Sequence, residues 1–319
     1  MLDGRMFKDG DEDEEEGGHR RSAAHRRPAY SVGPDRCSVI LRHFLRPESC
    51  QEREYLLYVP ESYDPARPTP LVISMHAAAL WPAAQMETSQ WNKVADEHGF
   101  IVVYPSGRTL RGDGTGVLPK VWHLGPEAVT ADVGFISELI DTLDATYNID
   151  PTRIYANGLS NGGRMAFELS CRPSHRIAAV GTVAAAQDLP WSWCADTSPV
   201  PMISFHGTAD PLVPYEGSGP SLLSPRPFPS VTEWTANWAG RNRCAPNPIE
   251  SVVGTDVTRV EYTNCANDAA VVLYTIRGGG HTWPGGKPMP EWIVGRTSRN
   301  IDATNQMWAF FREHQRLRD

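Results

Sequence analysis

A serine held between glycines, then an aspartate, then a histidine, is a chain order that could carry acyl transfer. Ser160 lies in Ile154-Tyr155-Ala156-Asn157-Gly158-Leu159-Ser160-Asn161-Gly162-Gly163, where a short β-prone run gives way to a helical pattern. A Gly-x-Ser-x-Gly turn between strand and helix is a nucleophile elbow. It lifts the Ser160 Oγ clear of a sheet and aims the first N–H groups of the helix at the reaction centre. Gly158 and Gly162 let strand and helix approach closely, and Gly163 adds room. Outside that frame the same serine and asparagine would read as a helix cap.

A serine nucleophile needs a base for its proton and a third group to hold the base. With an elbow of this kind the expected order is Ser, acid, His. His281 follows the last apolar run, in Arg277-Gly278-Gly279-Gly280-His281-Thr282-Trp283-Pro284, and its glycines permit a loop that returns an imidazole to the serine. Asp210, in Phe205-His206-Gly207-Thr208-Ala209-Asp210-Pro211, comes after the preceding strand and would accept from the imidazole N–H. Asp188 and Asp196 are rival acids, but both precede that strand. His206 precedes Asp210 and is out of order as the base. The oxyanion needs two donors: the backbone N–H of Asn161, and one from His76-Ala77-Ala78, where Ala78 is preferred over Ala77. This chemistry calls for no cofactor and no metal.

These residues need a sheet to hold them. Alternating patterns predict strands over 39–45 and 55–59, an antiparallel start to the sheet. A continuous apolar run over 71–75 reads as a buried central strand. A helix is predicted over 85–97, a strand over 100–104, and a long glycine-rich loop over 105–125. The spacing of Val133, Ile136, Leu139, Ile140 and Leu143 predicts a helix over 131–147. Further strands fall over 177–185, 201–206 and 270–276, and helices over 233–241 and 301–313. Strands alternating with helices imply an α/β fold with a mainly parallel sheet covered on both faces.

The chain of 319 residues is 40% hydrophobic and carries a formal net charge of −8. That charge argues against nucleic acid as a partner. No apolar run is long enough to span a bilayer. Six cysteines fall into three sequence-close pairs, Cys37 with Cys50, Cys171 with Cys194 and Cys244 with Cys265. None has C-x-x-C spacing, so they read as disulfides formed in an oxidising compartment. Residues 1–30 hold an acidic block from Asp11 to Glu16 and a basic one at Arg20, Arg21, Arg26 and Arg27. They are expected to be a disordered charged tail ahead of one catalytic domain over 31–319. No basic-then-apolar export segment appears in that tail.

Four stretches carry a family resemblance: Gly158-Leu159-Ser160-Asn161-Gly162-Gly163, Asp132-Val133-Gly134-Phe135-Ile136, His206-Gly207-Thr208-Ala209-Asp210 and Gly279-Gly280-His281-Thr282-Trp283-Pro284-Gly285. The chain resembles, from about Val39 to His314, the secreted α/β-hydrolase esterases grouped with polyhydroxybutyrate depolymerases and feruloyl or acetylxylan esterases. The resemblance implies a single α/β-hydrolase domain, a triad on Ser160, Asp210 and His281, and pairing of the cysteines after the elbow helix and before the last strand. It also implies secretion and an ester substrate, aromatic or polymer-linked. The family carries His-Gly where this chain has His76-Ala77, which adds methyl groups to the oxyanion loop. Trp81, Trp122 and Trp283 flank the site in sequence and could present flat faces to an acyl group or sugar ring. The competing readings are a serine peptidase on the same fold and a catalytically silent hydrolase fold that binds polysaccharide or lipid.

Overall fold

A ten-stranded mixed sheet organises the chain in a computed structural model. It describes residues 39–45, 53–109, 119–123, 128–172, 176–188, 191–194, 196–219 and 226–316. The charged tail over 1–30 lies outside the described residues. From Cys37 onward the chain forms one compact unit.

The elements in order are β1 (Val39–Leu45), β2 (Arg53–Val59), β3 (Thr69–Met75), α1 (Pro82–Ser89), α2 (Trp91–His98) and β4 (Ile101–Pro105). A small ribbon, β5 (Arg108–Thr109) and β6 (Lys120–Val121), precedes α3 (Ala128–Asp144). Then come β7 (Ile149–Leu159), α4 (Asn161–Ser170), β8 (Ala179–Val183), β9 (Met202–Gly207) and α5 (Val231–Arg241). The chain ends with β10 (Ile249–Gly254), β11 (Val257–Tyr262), β12 (Val271–Ile276), α6 (Glu291–Val294) and α7 (Ala303–Phe311).

The strand order is β1-β2-β4-β3-β7-β8-β9-β12-β11-β10. Its middle six strands, β4 through β12, are parallel, and antiparallel pairs close both ends. Every loop that leaves a parallel strand at its carboxyl end therefore opens on one edge of the sheet, where α/β folds place their ligands.

Strand periodicity divides the core into two layers. Leu71, Ile73, Met75, Ile101, Val103 and Ala156 face one layer, under α3, α4 and α5. Val72, Val102, Tyr104, Tyr155, Ile203 and Phe205 face the other, under α2 and α7. In that second layer Phe311 stacks on Tyr155 at 4.8 Å and on Trp91 at 6.0 Å. Phe100 stacks on Trp308 at 4.0 Å. Offset stacks of this kind add to the burial energy of the rings.

Two expectations change. The helix over 85–97 is two helices, because Gln90 takes the left-handed conformation (φ 58°) and ends α1 as it starts α2. The break turns Trp91 inward, where it is fully buried and its Nε1–H donates to Asn157 Oδ1 at 3.1 Å. The second change is the β10–β11 hairpin, where the sequence pattern predicts no strand. Most of β10 is exposed, with Val252 at 80%, so it lacks the apolar signal of the central strands.

Of the three expected disulfides, two are present: Cys171–Cys194 and Cys244–Cys265. The first ties the end of α4 to the segment before β9. The second ties the end of α5 to the β11–β12 connection. The third expected pairing, Cys37 with Cys50, is not tested here. Cys37 precedes β1, and Cys50 falls in the β1–β2 connection, so both lie outside the described residues. No helix among the described residues is long and apolar enough to cross a membrane.

Candidate active site

Ser160 stands where β7 turns into α4, with φ 55° and ψ −118°. A left-handed serine costs of order 1–3 kcal/mol and persists only where its surroundings enforce it. Here the enforcement is visible. The Ser160 N–H donates to Val183 O at 2.8 Å, and Ser160 O accepts from the Arg164 N–H at 3.0 Å. A Cβ on Gly158 would lie 2.4 Å from the Gly162 carbonyl carbon. One on Gly162 would lie 2.2 Å from Met75 O and 2.7 Å from His76 O. Only glycine lets α4 begin directly against the end of β3.

Asn161 is the first residue of α4, so its backbone N–H has no acceptor within the helix. Its side chain clasps the backbone of Trp122: Oδ1 accepts the Trp122 N–H at 2.7 Å and Nδ2 donates to Trp122 O at 3.0 Å. The Trp122 indole N–H then donates to His76 O at 3.0 Å. This path joins the residue after the serine to the loop across the cleft.

That loop is a tight turn, Ala77 to Leu80, with the Leu80 N–H on Ala77 O at 3.2 Å. The Ala79 N–H is taken by Lys120 O at 2.8 Å, whereas the Ala78 N–H has no acceptor among the described residues. Ala78 is therefore the loop position able to offer a second donor beside Asn161. The Ala77 methyl, the departure from the family pattern, is buried in the apolar layer under α2 rather than in the cleft.

His76 anchors the turn and is fully buried. Its Nε2 accepts the Gly107 N–H at 2.9 Å, so the proton sits on Nδ1, which donates to Ala77 O at 2.8 Å. Burial pushes this imidazole down to about 4. Behind it, Arg53 Nη1 pairs with Asp132 Oδ1 at 2.8 Å, and Asp132 Oδ2 accepts the His123 N–H at 2.9 Å.

The acid and base come from β9 and β12, which are neighbours in the sheet. The glycine loop after β12 folds back over the end of β9: the Ala209 N–H donates to Gly279 O at 2.9 Å, and a Cβ on Gly207 would lie 2.2 Å from that oxygen. The chain beyond is pinned as well. The His281 N–H donates to Val294 O at 2.6 Å and the Gly280 N–H to Arg296 O at 2.9 Å.

His281 Nδ1 lies 2.8 Å from Asp210 Oδ2 and 3.1 Å from Oδ1. Asp210 Oδ1 also accepts the N–H groups of Leu212 at 2.8 Å and Val213 at 2.9 Å. On the far side, His206 Nε2 lies 3.2 Å from Asp210 Oδ2. Burial alone would raise this carboxyl. The bonds from His206 and His281 outweigh burial and hold it well below the usual carboxylate range.

The structure thus joins Asp210 to His281 and places Ser160 on the same edge of the sheet. The Ser160 Oγ makes no hydrogen bond among the described residues, and catalytic bonds of this type commonly tighten only with substrate present. The rival acids are engaged elsewhere. Asp188 pairs with Arg164, and Asp196 Oδ1 accepts the Ser198 N–H at 2.8 Å.

The tryptophans divide. Trp122 and Trp283 are buried, and their indole N–H groups are used, by His76 O and by Thr304 Oγ1 at 2.9 Å. Neither offers an open face, which corrects the expectation of a ligand platform on either. Trp81 is 38% exposed beside the turn from Ala77 to Leu80. Trp292, on α6, is 87% exposed and was missed in the sequence, because four helical residues after a proline carry little pattern.

The family model Esterase PHB depolymerase matches residues 53–187, from β2 through the elbow to the segment after β8. A protein named "Putative esterase NocK" from Nocardia uniformis subsp. tsuyamanensis is 32% identical over 252 residues, covering 74% of this chain and 72% of that one. Feruloyl esterase B of Piromyces equi is 31% identical over 242 residues. The match covers 74% of this chain but 44% of that longer protein. Among solved structures, an acetyl xylan esterase from Aspergillus awamori superposes with a TM-score of 0.58 at 16% identity, over 76% of this chain and 94% of that one. That likeness carries the α/β-hydrolase fold. With 32% identity across most of both chains, this protein belongs to the esterase family of PHB depolymerases.

Proposed function

We propose that the protein is a serine carboxylic-ester hydrolase that works through an acyl-enzyme. The observation that carries the reading is the buried Asp210–His281 pair on the edge where Ser160 is held in a left-handed elbow. In this reading Ser160 Oγ attacks the ester carbonyl as His281 Nε2 takes its proton. Asp210 accepts from Nδ1–H and stabilises the imidazolium that forms. The N–H groups of Asn161 and Ala78 bind the oxyanion. Protonated His281 returns its proton to the departing alcohol, and water, activated by the same imidazole, then releases the acid.

For substrate we propose polymer-linked or aromatic esters: feruloyl or acetyl groups on polysaccharide, or polyhydroxyalkanoate. Relatives named feruloyl esterase and the family's own description support this range, and flat apolar surface is supplied by exposed Trp81, next to the turn that ends at Leu80, and by exposed Trp292, on the helix whose Val294 O accepts the His281 N–H. We place the enzyme outside the cytosol, a reading supported by its two disulfides.

A fluorophosphonate probe is expected to label the wild type and spare Ser160→Ala. Equal labelling of both would overturn the nucleophile assignment. Rates on methyl ferulate, acetylated xylan, a hydroxybutyrate oligomer and p-nitrophenyl acetate then rank the substrate classes, and no turnover of any of them would overturn the activity.

A further inference from the structure

The mechanism above leaves the buried imidazole of His206 unused. His206 is the penultimate residue of β9, next to the closing Gly207, and its side chain is fully enclosed. Its Nε2 faces two acceptors at once, Val213 O at 2.8 Å and Asp210 Oδ2 at 3.2 Å. A ring nitrogen between a carbonyl oxygen and a carboxylate oxygen must carry the proton. Nδ1 is then an acceptor, and it has no partner among the described residues.

The groups around His206 are few. Asp210 lies on its own connection, and His281 reaches it through Asp210 from the loop after β12. Tyr215 sets its ring edge-on at 6.0 Å, with its hydroxyl engaged by Thr275 Oγ1 of β12 at 2.7 Å. Glu216 follows Tyr215 and acts on that phenol.

Asp210 Oδ2 therefore sits between two imidazole N–H groups, one on each side, while Oδ1 is fastened to the backbone at Leu212 and Val213. We infer that His206 is a positioning residue for the acid: its Nε2–H locks the Asp210 carboxylate in the plane that meets His281, and draws off part of the negative charge that His281 feels. This rests on the triad reading above. Without the second imidazole the carboxylate keeps Oδ1 anchored but loses a restraint on Oδ2, so the His281 ring loses its fixed orientation. The carboxylate also becomes a stronger base, and holds the His281 proton more tightly.

The test uses His206→Leu, which deletes the donor, and His206→Gln, whose side-chain amide can place a donor near the original Nε2. Rates on p-nitrophenyl acetate are normalised to the fraction of sites labelled by a fluorophosphonate. His206→Leu is expected to lower kcat about ten-fold with KM changed less than about two-fold, the loss typical of one charge-assisted bond. The acid limb of its kcat/KM profile should move to higher pH, and His206→Gln should recover most of the rate. An unmoved acid limb with unchanged kcat per labelled site would overturn the inference. The wild type supplies a check that needs no variant: 15N spectroscopy should show a proton on His206 Nε2, and a ring protonated at Nδ1 alone would overturn it. Wild-type activity in Asp210→Asn and Ser160→Ala would sink the triad itself, whereas loss there with an inert His206→Leu sinks only this role.

Discussion

Asparagine at position 210 should invert the tautomer of His281. Oδ1 accepts two backbone N–H groups, from Leu212 and Val213, so the amide oxygen of Asp210→Asn must take that position. The NH2 group is then forced to the site of Oδ2, facing His281 Nδ1 at 2.8 Å and His206 Nε2 at 3.2 Å. To meet a donor, His281 must present a lone pair at Nδ1 and carry its proton on Nε2. An Nε2–H cannot take the Ser160 proton. Loss of the correct tautomer is worth about 10³–10⁴-fold in kcat, or ~4–5.5 kcal/mol of barrier. The second face of the amide meets the His206 Nε2–H, donor against donor. That mismatch costs about 1–3 kcal/mol of stability. The assay is kcat on p-nitrophenyl acetate beside a urea melt of the same preparation. A variant within about ten-fold of wild type in kcat, with an unchanged melt, would refute the reasoning that Oδ1 dictates the amide orientation.

Three further outcomes are expected. Gly162→Ala puts a methyl 2.2 Å from Met75 O, so it should lose about 1–3 kcal/mol by overpacking and displace the turn that starts at Ala77; equal urea midpoints and rates would contradict this. His76 is held neutral at about 4 in the folded state, while an unfolded histidine titrates near ~6.5. The unfolded chain binds the extra proton first, so stability should fall by about 3 kcal/mol as pH drops from ~6.5 to ~4, relative to a His76→Gln variant. Urea midpoints of both proteins across that range check it, and parallel curves would count against a buried neutral His76. Replacing Cys171 and Cys194 together by alanine should cost about 3 kcal/mol, the loop-closure value for their separation of 23 residues. An unchanged thermal midpoint would show that this bridge does not restrain the unfolded chain.

Much of this arrangement was legible because it depends on local rules. The elbow is written in residues 158–163, whose small side chains admit only one kind of turn. The parallel strands could be read from apolar runs, and chain order alone suggested which aspartate and histidine stand at successive strand ends. Asp210 does meet His281, and both rival aspartates are occupied elsewhere. Sequence proximity also picked the partners of Cys171 and Cys244. The same argument for Cys37 and Cys50 reaches past the described residues. What escaped the sequence depends on distant contacts. Nothing in Trp122 or Trp283 announces that their rings are enclosed, since tryptophan serves packing and recognition with the same side chain. The break at Gln90 has no glycine or proline to mark it. His206 looks superfluous in one dimension, because the turn that brings Val213 O and Asp210 Oδ2 to its Nε2 exists only after folding.

The pins at Gly280 and His281 have a consequence for how this scaffold can vary. Their N–H groups bind Arg296 O and Val294 O, so the chain leaves His281 and comes back to almost the same point. Trp283 roots the first part in the interior, the Lys287 N–H holds Thr88 O and Met289 packs on the core layer, which leaves the exposed face of α6 at Trp292 and Ile293 as the outermost part of the excursion. Lengthening such a closed excursion is cheap, about 0.6 kcal/mol for each doubling of a flexible loop. The outer portion is thus a graft site: new segments could be spliced there to change what settles beside the cleft, while the imidazole stays where the two pins hold it.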